Sequence, residues 1–306
     1  MLSLPGDVAP RRARDMGGDE VIELSAERCE YLQFEGLRAW PEVTHAVFTR
    51  RGGYSAAPYD GLNLSISTGD DLSVVRRNRQ IVSDTLGMPL LSAFPAHGAA
   101  VAILDHEMAA QAWRAGGEWP RRLQEQMRAI HADAMLTDVS GVALFWAYGD
   151  CAPVLLYDAR QRVVGLVHAG WRGTAQAITV KAIETMQERF GSQLDDIYAA
   201  VGPAIGACCY EVTDAVRQSF AAEPLAQEAA VFAERASSED ANDTSWYLDV
   251  GASNEHQLLL AGLAPDHVET SGYCTGCESD LLYSNRRGPR HGGRFGVAIG
   301  LRDDVA

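Results

Sequence analysis

The chain has 306 residues, 47% of them hydrophobic and 22% charged, which is enough apolar material to bury the core of one large domain. Its formal net charge of −15 argues against a nucleic-acid or anionic-membrane surface as the main partner, because both are polyanions. No stretch reaches the roughly 18 uninterrupted apolar residues of a membrane span, and six cysteines, two of them adjacent (Cys208, Cys209), suit a reducing cytoplasmic setting better than a disulfide framework.

Residues 1–22 mix prolines and charges without periodicity and are expected to form a flexible tail, with 23–306 as a single domain. HAVFTRRGGYS reads as a strand running into a Gly-Gly turn, and GLNLSISTGDD as an extended segment ending in another. Residues 72–86 place apolar side chains at helical spacing, with Gly87 as the stop. Pro95-Ala96-His97-Gly98 is a loop leading into the strand AAVAILD, and 109–130 is charged and expected to be helical. VALFWAYGDCAPVLLYD is a long buried strand or strand pair, DARQ a turn, and RVVGLVHAGWRG a further strand ending in glycines. Residues 174–190 read as an amphipathic helix with Thr174 as N-cap and Gly191 as stop.

IYAAVGPAIGACCYEV is a strand entering a glycine loop, followed by a helix from about Thr213. Residues 221–245 read as a helix plus a solvated insertion, 249–263 as a helix, 268–273 as a short strand, 274–294 as an arginine-bearing loop, and FGVAIGL as the closing strand. Strands alternate with helices, yet adjacent strands suggest hairpins. The expected fold is therefore α/β with α+β character: a single layered domain with mixed β-sheets flanked by helices.

The chemistry concentrates around Cys151 and His168. If DARQ closes a two-residue hairpin, Asp158 faces Gln161 and Cys151 faces His168, with Cβ atoms about 5 Å apart. Such a pair serves as two ligands of one metal or as a Cys–His dyad, although Ala-Arg is not a favoured hairpin loop and the register is free to slip by one or two. Asp150 before the cysteine and Pro153 after it would disturb a purely structural strand. Arg172 lies just beyond His168, before a helix whose N-terminus would favour an anion. A third ligand would complete a catalytic zinc site with an open position, and His97, His45 and His131 all qualify on spacing. Cys274-Thr-Gly-Cys277 is a rival metal motif needing two more ligands, for which His267 and His291 stand near. A second histidine after His106-Glu107, a P-loop and a dinucleotide fingerprint are all absent. Arginines at 50–51, 286–287 and 294 sit beside glycine turns and are candidates to cradle phosphate.

At these residues the sequence resembles the YfiH/YlmD-type laccase-domain family. The motifs FTRRGGYS, GLNLS with GDD, the His97-Gly98 pair, DAMLTD, GDCAPVLLYD, HAGWRGT, GPAIGACCYEV, CT and SNRRGPRHGGRFG occur in order between about 44 and 301. The resemblance implies a metal site of His97, Cys151 and His168, choosing His97 as third ligand; the family's glutamine two residues earlier is Pro95 here. It implies a zinc enzyme acting on purine nucleosides: phosphorolysis of adenosine, inosine, guanosine and methylthioadenosine, and hydrolytic deamination of adenosine. Arg50, Asn63 and Arg172 are then expected to hold phosphate, ribose or base. Copper with phenol oxidation, the family's older description, is the alternative, and a metal-free Cys–His hydrolase is another. Eight scattered histidines with no H-x-H pair disfavour a multicopper site.

Overall fold

A computed structural model describes residues 29–114, 129–236, 244–288 and 292–303. The tail at 1–22, most of the stretch beyond Arg114, and the middle of 221–245 lie outside the described residues.

In chain order the elements are β1 (Cys29–Leu32), α1 (Glu35–Arg38), β2 (Val43–Gly52), α2 (Leu72–Leu86), β3 (Leu90–Leu91), β4 (Val101–Ile103), α3 (His106–Arg114), β5 (Ala134–Thr137), β6 (Ala143–Tyr148), β7 (Ala152–Asp158), β8 (Val163–Ala169), α4 (Trp171–Thr174), α5 (Ile178–Phe190), β9 (Ile197–Val201), β10 (Glu211–Val212), α6 (Asp214–Ser219), α7 (Pro224–Ala229), β11 (Phe232–Ala236), β12 (Thr244–Leu248), α8 (Val250–Leu260), β13 (Val268–Thr270) and β14 (Phe295–Leu301). They build a five-stranded sheet ordered β1-β2-β14-β6-β3, a six-stranded sheet ordered β13-β9-β7-β8-β5-β4, and a small β10-β12-β11 sheet. Parallel and antiparallel pairs coexist in both large sheets, so the mixed topology expected from the sequence is found.

The strands' two-residue side-chain period sorts the core into layers. Val47, Leu144, Trp146, Val297 and Ile299 of the five-stranded sheet face Leu155, Tyr157, Val164 and Leu166 of the six-stranded one. The alternate residues Phe48, Phe145 and Ala298 face outward onto α2. Val154, Leu156, Val163 and Val167 face the other way onto α5 and α8. The order is helix, sheet, sheet, helix. Helix α2 matches its sequence reading to the residue, with Asp71 accepting the Ser73 N–H as N-cap and Gly87 left-handed at the end.

Three expectations need correction. The β7–β8 hairpin has a four-residue turn, not a two-residue one: Asp158 pairs with Val163 and Pro153, rather than Cys151, pairs with His168. Asp158 Oδ1 accepts the N–H groups of Arg160 and Gln161, and Arg162 takes φ 53°, which closes this wider turn. A slip of two preserves the face, so Cys151 still lies on the same side of the sheet as His168. Second, Thr174 ends the short helix α4 and caps nothing. It is fully buried, its Oγ1 donating to the Gly170 carbonyl and accepting from Asn254, and the long helix begins at Ile178 after a left-handed Ala177. Third, 221–245 holds strand β11 and the start of β12 as well as a helix, while 237–243, on which the expected insertion falls, lie outside the described residues.

His45 on β2 is 1% exposed, and its Nε2 accepts the Phe34 N–H at 2.8 Å. Burial, with the Arg38 charge second, drives its pKa down to about 3. The unfolded chain therefore binds a proton below about 6.5 that the folded chain refuses until about 3. This contribution to stability is present above 6.5 and is lost as pH falls through that window, by up to about 1.4 kcal/mol per pH unit. His45→Gln keeps an acceptor for Phe34 and removes the titration. Urea melts between pH 6.5 and 4 are expected to show a shallower loss of stability for this variant than for wild type.

Candidate metal centre

Chain leaves the five-stranded sheet at Tyr148 and enters the six-stranded one at Ala152, crossing through Gly149-Asp150-Cys151. Asp150 sits at φ 104°, an unfavourable region for a residue with a Cβ. Its surroundings hold it there. Its carboxylate accepts from Thr275 Oγ1 (2.7 Å), Ser284 Oγ (2.6 Å) and the Arg286 N–H (2.7 Å), and its carbonyl accepts the Ile205 N–H (2.9 Å). The crossing thus fixes where Cys151 begins, and the Arg294 side chain lies across Gly149, where a Cβ would come within 2.5 Å of its Cδ.

His168, at the end of β8, turns its ring into the space between the sheets, beside Tyr148 and Trp146 at centroid distances of 5.6 and 6.1 Å. Its Nδ1 lies 3.1 Å from Asp133 Oδ1. The same carboxylate accepts the His97 N–H at Oδ1 (2.9 Å) and the Gly98 N–H at Oδ2 (2.7 Å), so one buried acid orients one imidazole and anchors the loop carrying the other. His97 takes φ 55°, a left-handed conformation that swings its ring to 5.1 Å from that of His168. One donor atom each from His97, Cys151 and His168 lies within 4.8 Å of the others.

Burial disfavours the Asp133 carboxylate, but the hydrogen bonds from His168, Gly98 and His97 hold its pKa below the usual value. Desolvation would also lower the His168 pKa; the Cys151 sulfur and Asp133 outweigh it and raise it to about 10. His97 is lowered by desolvation and by the His168 and Arg172 charges, against the pull of Asp133. With Asp133 taking Nδ1 of His168, Nε2 is left for a ligand, the arrangement in which a carboxylate fixes the tautomer of a metal-binding histidine.

The structure brings together the three residues of the expected metal set. His45 lies in the core against Phe34, and His131 packs on Phe94, so neither joins them. Arg172 is exposed on α4, its guanidinium 4.2 Å over the Trp171 ring and its charge felt at His97. Arg50 is turned to the 279–283 loop, donating to the Ser279 carbonyl (2.8 Å) and stacking 4.7 Å over Tyr283. Asn63 is a correction. It is fully buried, its Nδ2 donates to Thr68 and Asp70, and its Oδ1 accepts from Ser65 and from Arg294, so nothing remains for a ligand. Its work is to hold the backbone at Arg294, whose side chain is near Cys151 and Asp150 electrostatically.

Sequence reading missed the organising role of Asp133 and Asp150. The available signal was a lone acid at the head of the apolar strand AMLT, where neither a cap nor solvent explains it.

Gly170 is another tight point: a Cβ there would stand 3.0 Å from Cys151 Sγ and 4.0 Å from His97 Nδ1. Gly170→Ala is expected to displace the sulfur and weaken metal binding by about tenfold or more, measured by competition with a chromogenic chelator.

The chain is 34% identical over 281 residues to "Purine nucleoside phosphorylase YlmD" of Geobacillus stearothermophilus, covering 90% of this chain and 94% of the relative. It is 30% identical over 284 residues to "Adenosine deaminase RL5" from an unknown prokaryotic organism, covering 91% and 99%. The crystal structure of YlmD from Geobacillus stearothermophilus superposes with a TM-score of 0.76 at 30% identity, over 92% of this chain and 99% of that one. Residues 44–302 match the profile of the family described as multi-copper polyphenol oxidoreductase laccase, and the chain belongs to that family.

Proposed function

We propose that this chain is a zinc-dependent purine nucleoside enzyme, catalysing phosphorolysis of adenosine, inosine, guanosine and methylthioadenosine and deamination of adenosine at the His97–Cys151–His168 centre. The observation that carries the reading is the convergence of two imidazoles and one thiol around a single point, with Asp133 fixing both imidazole-bearing segments. Similarity to relatives named purine nucleoside phosphorylase and adenosine deaminase over nine-tenths of the chain supports the substrate class. Two nitrogens and a thiolate suit zinc, and three protein ligands leave a position open, where bound zinc supplies Lewis acidity. Among the chain's own groups, Arg172 and Arg294 supply positive charge near Cys151 and His97 for a phosphate or a developing anion. Asp133 keeps His168 in one tautomer, and the Asp150 network keeps Cys151 in place.

Incubation with adenosine, with and without phosphate, tests this. Adenine with ribose 1-phosphate, appearing only with phosphate, reports phosphorolysis; inosine with ammonia reports deamination. Neither product forming on zinc-loaded protein sinks the assignment.

A second reading draws on the order Asp133–His168–Cys151, which matches an acid–base–nucleophile relay. A metal-free hydrolase of that kind would keep its activity after chelation. The copper oxidase reading fits the donor set less well. Among the described residues the two clusters able to hold an ion are this one and a group of four cysteines, rather than the several histidine-rich sites multicopper oxidation requires.

A further inference from the structure

Among the described residues, the Cys274–Cys277 motif finds its partners in Cys208 and Cys209. His267 is stacked on Tyr198 at 4.0 Å, and His291 lies outside the described residues. The four sulfurs lie within 4.8 Å of one another; Cys277 Sγ is 3.4 Å from that of Cys208 and 3.6 Å from that of Cys209. Zinc–sulfur bonds of about 2.3 Å in a tetrahedron put sulfurs about 3.8 Å apart, whereas a disulfide needs about 2.0 Å. All four cysteines are free. We propose that Cys208, Cys209, Cys274 and Cys277 form a second metal site, a closed tetrathiolate that binds zinc structurally, separate from the His97–Cys151–His168 centre.

The surrounding backbone is built for it. Cys274 and Cys277 bracket a tight turn in which the Cys274 carbonyl accepts the N–H groups of Cys277 (3.0 Å) and Glu278 (2.9 Å). The Gly206 N–H donates to Cys274 Sγ at 3.3 Å, and Arg287 Nη2 approaches Cys209 Sγ at 3.7 Å; both offset the negative charge that four thiolates leave on a divalent ion. Glycine stands where the two loops touch: a Cβ on Gly276 would come within 2.9 Å of Cys209 Sγ. Four protein ligands leave no open position, so the role is structural.

The site joins the loop after β9 to the loop after β13. Those two loops also hold Asp150: Ile205 binds its carbonyl, and Thr275, Ser284 and Arg286 bind its carboxylate. A metal clamping them fixes the crossing that delivers Cys151.

Metal analysis of full-length protein purified anaerobically without chelator tests the proposal. Wild type is expected to carry two zinc ions per chain. The variant His97→Ala/Cys151→Ala is expected to keep one, and Cys274→Ser/Cys277→Ser to lose the tetrathiolate equivalent. Because the first variant leaves all four cysteines intact, it decides the question even where the second fails to fold. Cobalt loaded into the first variant is expected to give the intense thiolate-to-cobalt charge-transfer band of four sulfur ligands. A metal-free first variant, two disulfides found by intact mass after alkylation, or iron with acid-labile sulfide in place of zinc overturns it. None of these outcomes depends on nucleoside turnover, so failure of the enzymatic reading and failure of this one are read separately.

Discussion

Cys151→Ala is expected to abolish metal binding at the first centre and lower kcat/KM for adenosine by on the order of a thousandfold or more, since a Lewis-acidic metal contributes several kcal/mol to a transition state and about 1.4 kcal/mol is tenfold. The fold is expected to survive. Cys151 is only partly buried, precedes β7 rather than lying in the ladder, and its position is set by Asp150, which the substitution leaves intact. Circular dichroism unchanged from wild type, together with lost turnover that no added zinc restores, is the expected pair of results. Wild-type turnover in the folded variant would remove Cys151 from the machinery.

Asp133→Asn is expected to act differently. Metal affinity should fall by about 10- to 100-fold, the typical cost of disturbing a carboxylate behind a ligating histidine. The native carboxylate accepts three hydrogen bonds: from His168 Nδ1 and the His97 N–H at one oxygen, and from the Gly98 N–H at the other. An amide has only one acceptor oxygen. If its NH2 faces Gly98, two donors meet and the His97 loop loses an anchor. If it faces His168, the imidazole must accept at Nδ1, and Nε2 then carries the proton and cannot ligate. Both outcomes weaken binding without removing a ligand. Raising the zinc concentration is therefore expected to rescue Asp133→Asn, in contrast to Cys151→Ala. Titration of apo-protein with zinc, followed by activity, separates the two. Identical zinc affinity in Asp133→Asn and wild type would show that Asp133 orients nothing.

These two variants also mark the boundary of what the sequence disclosed. Cys151 was legible because a reactive residue interrupts an apolar strand between Asp150 and Pro153, and because His168 ends the next strand at a distance a hairpin can close. The face was right even though the register was off by two, since side chains repeat with a period of two and a two-residue slip returns them to the same side. Helix α2 was legible because propensity, cap and stop signals all lie within a few residues of one another. The Thr174 cap was misread for the opposite reason: its hydroxyl partners, Gly170 and Asn254, include one 80 residues away, and local text cannot reveal that competition.

The sequence by itself determined the layered α/β class, the hairpin carrying Cys151 and His168, the end points of α2, and two cysteine-bearing segments suited to bind metal. Only the tertiary structure decided that Asp133 governs both histidine segments, that Asn63 is consumed in holding the Arg294 strand entry, and that Cys208 and Cys209 meet the Cys274–Cys277 turn. The physical reason is one of range. Periodicity and capping act over a few residues and leave a trace in neighbouring letters, whereas hydrogen bonds and ligand clusters form between segments 35 to 231 residues apart, joined solely by how the sheets stack.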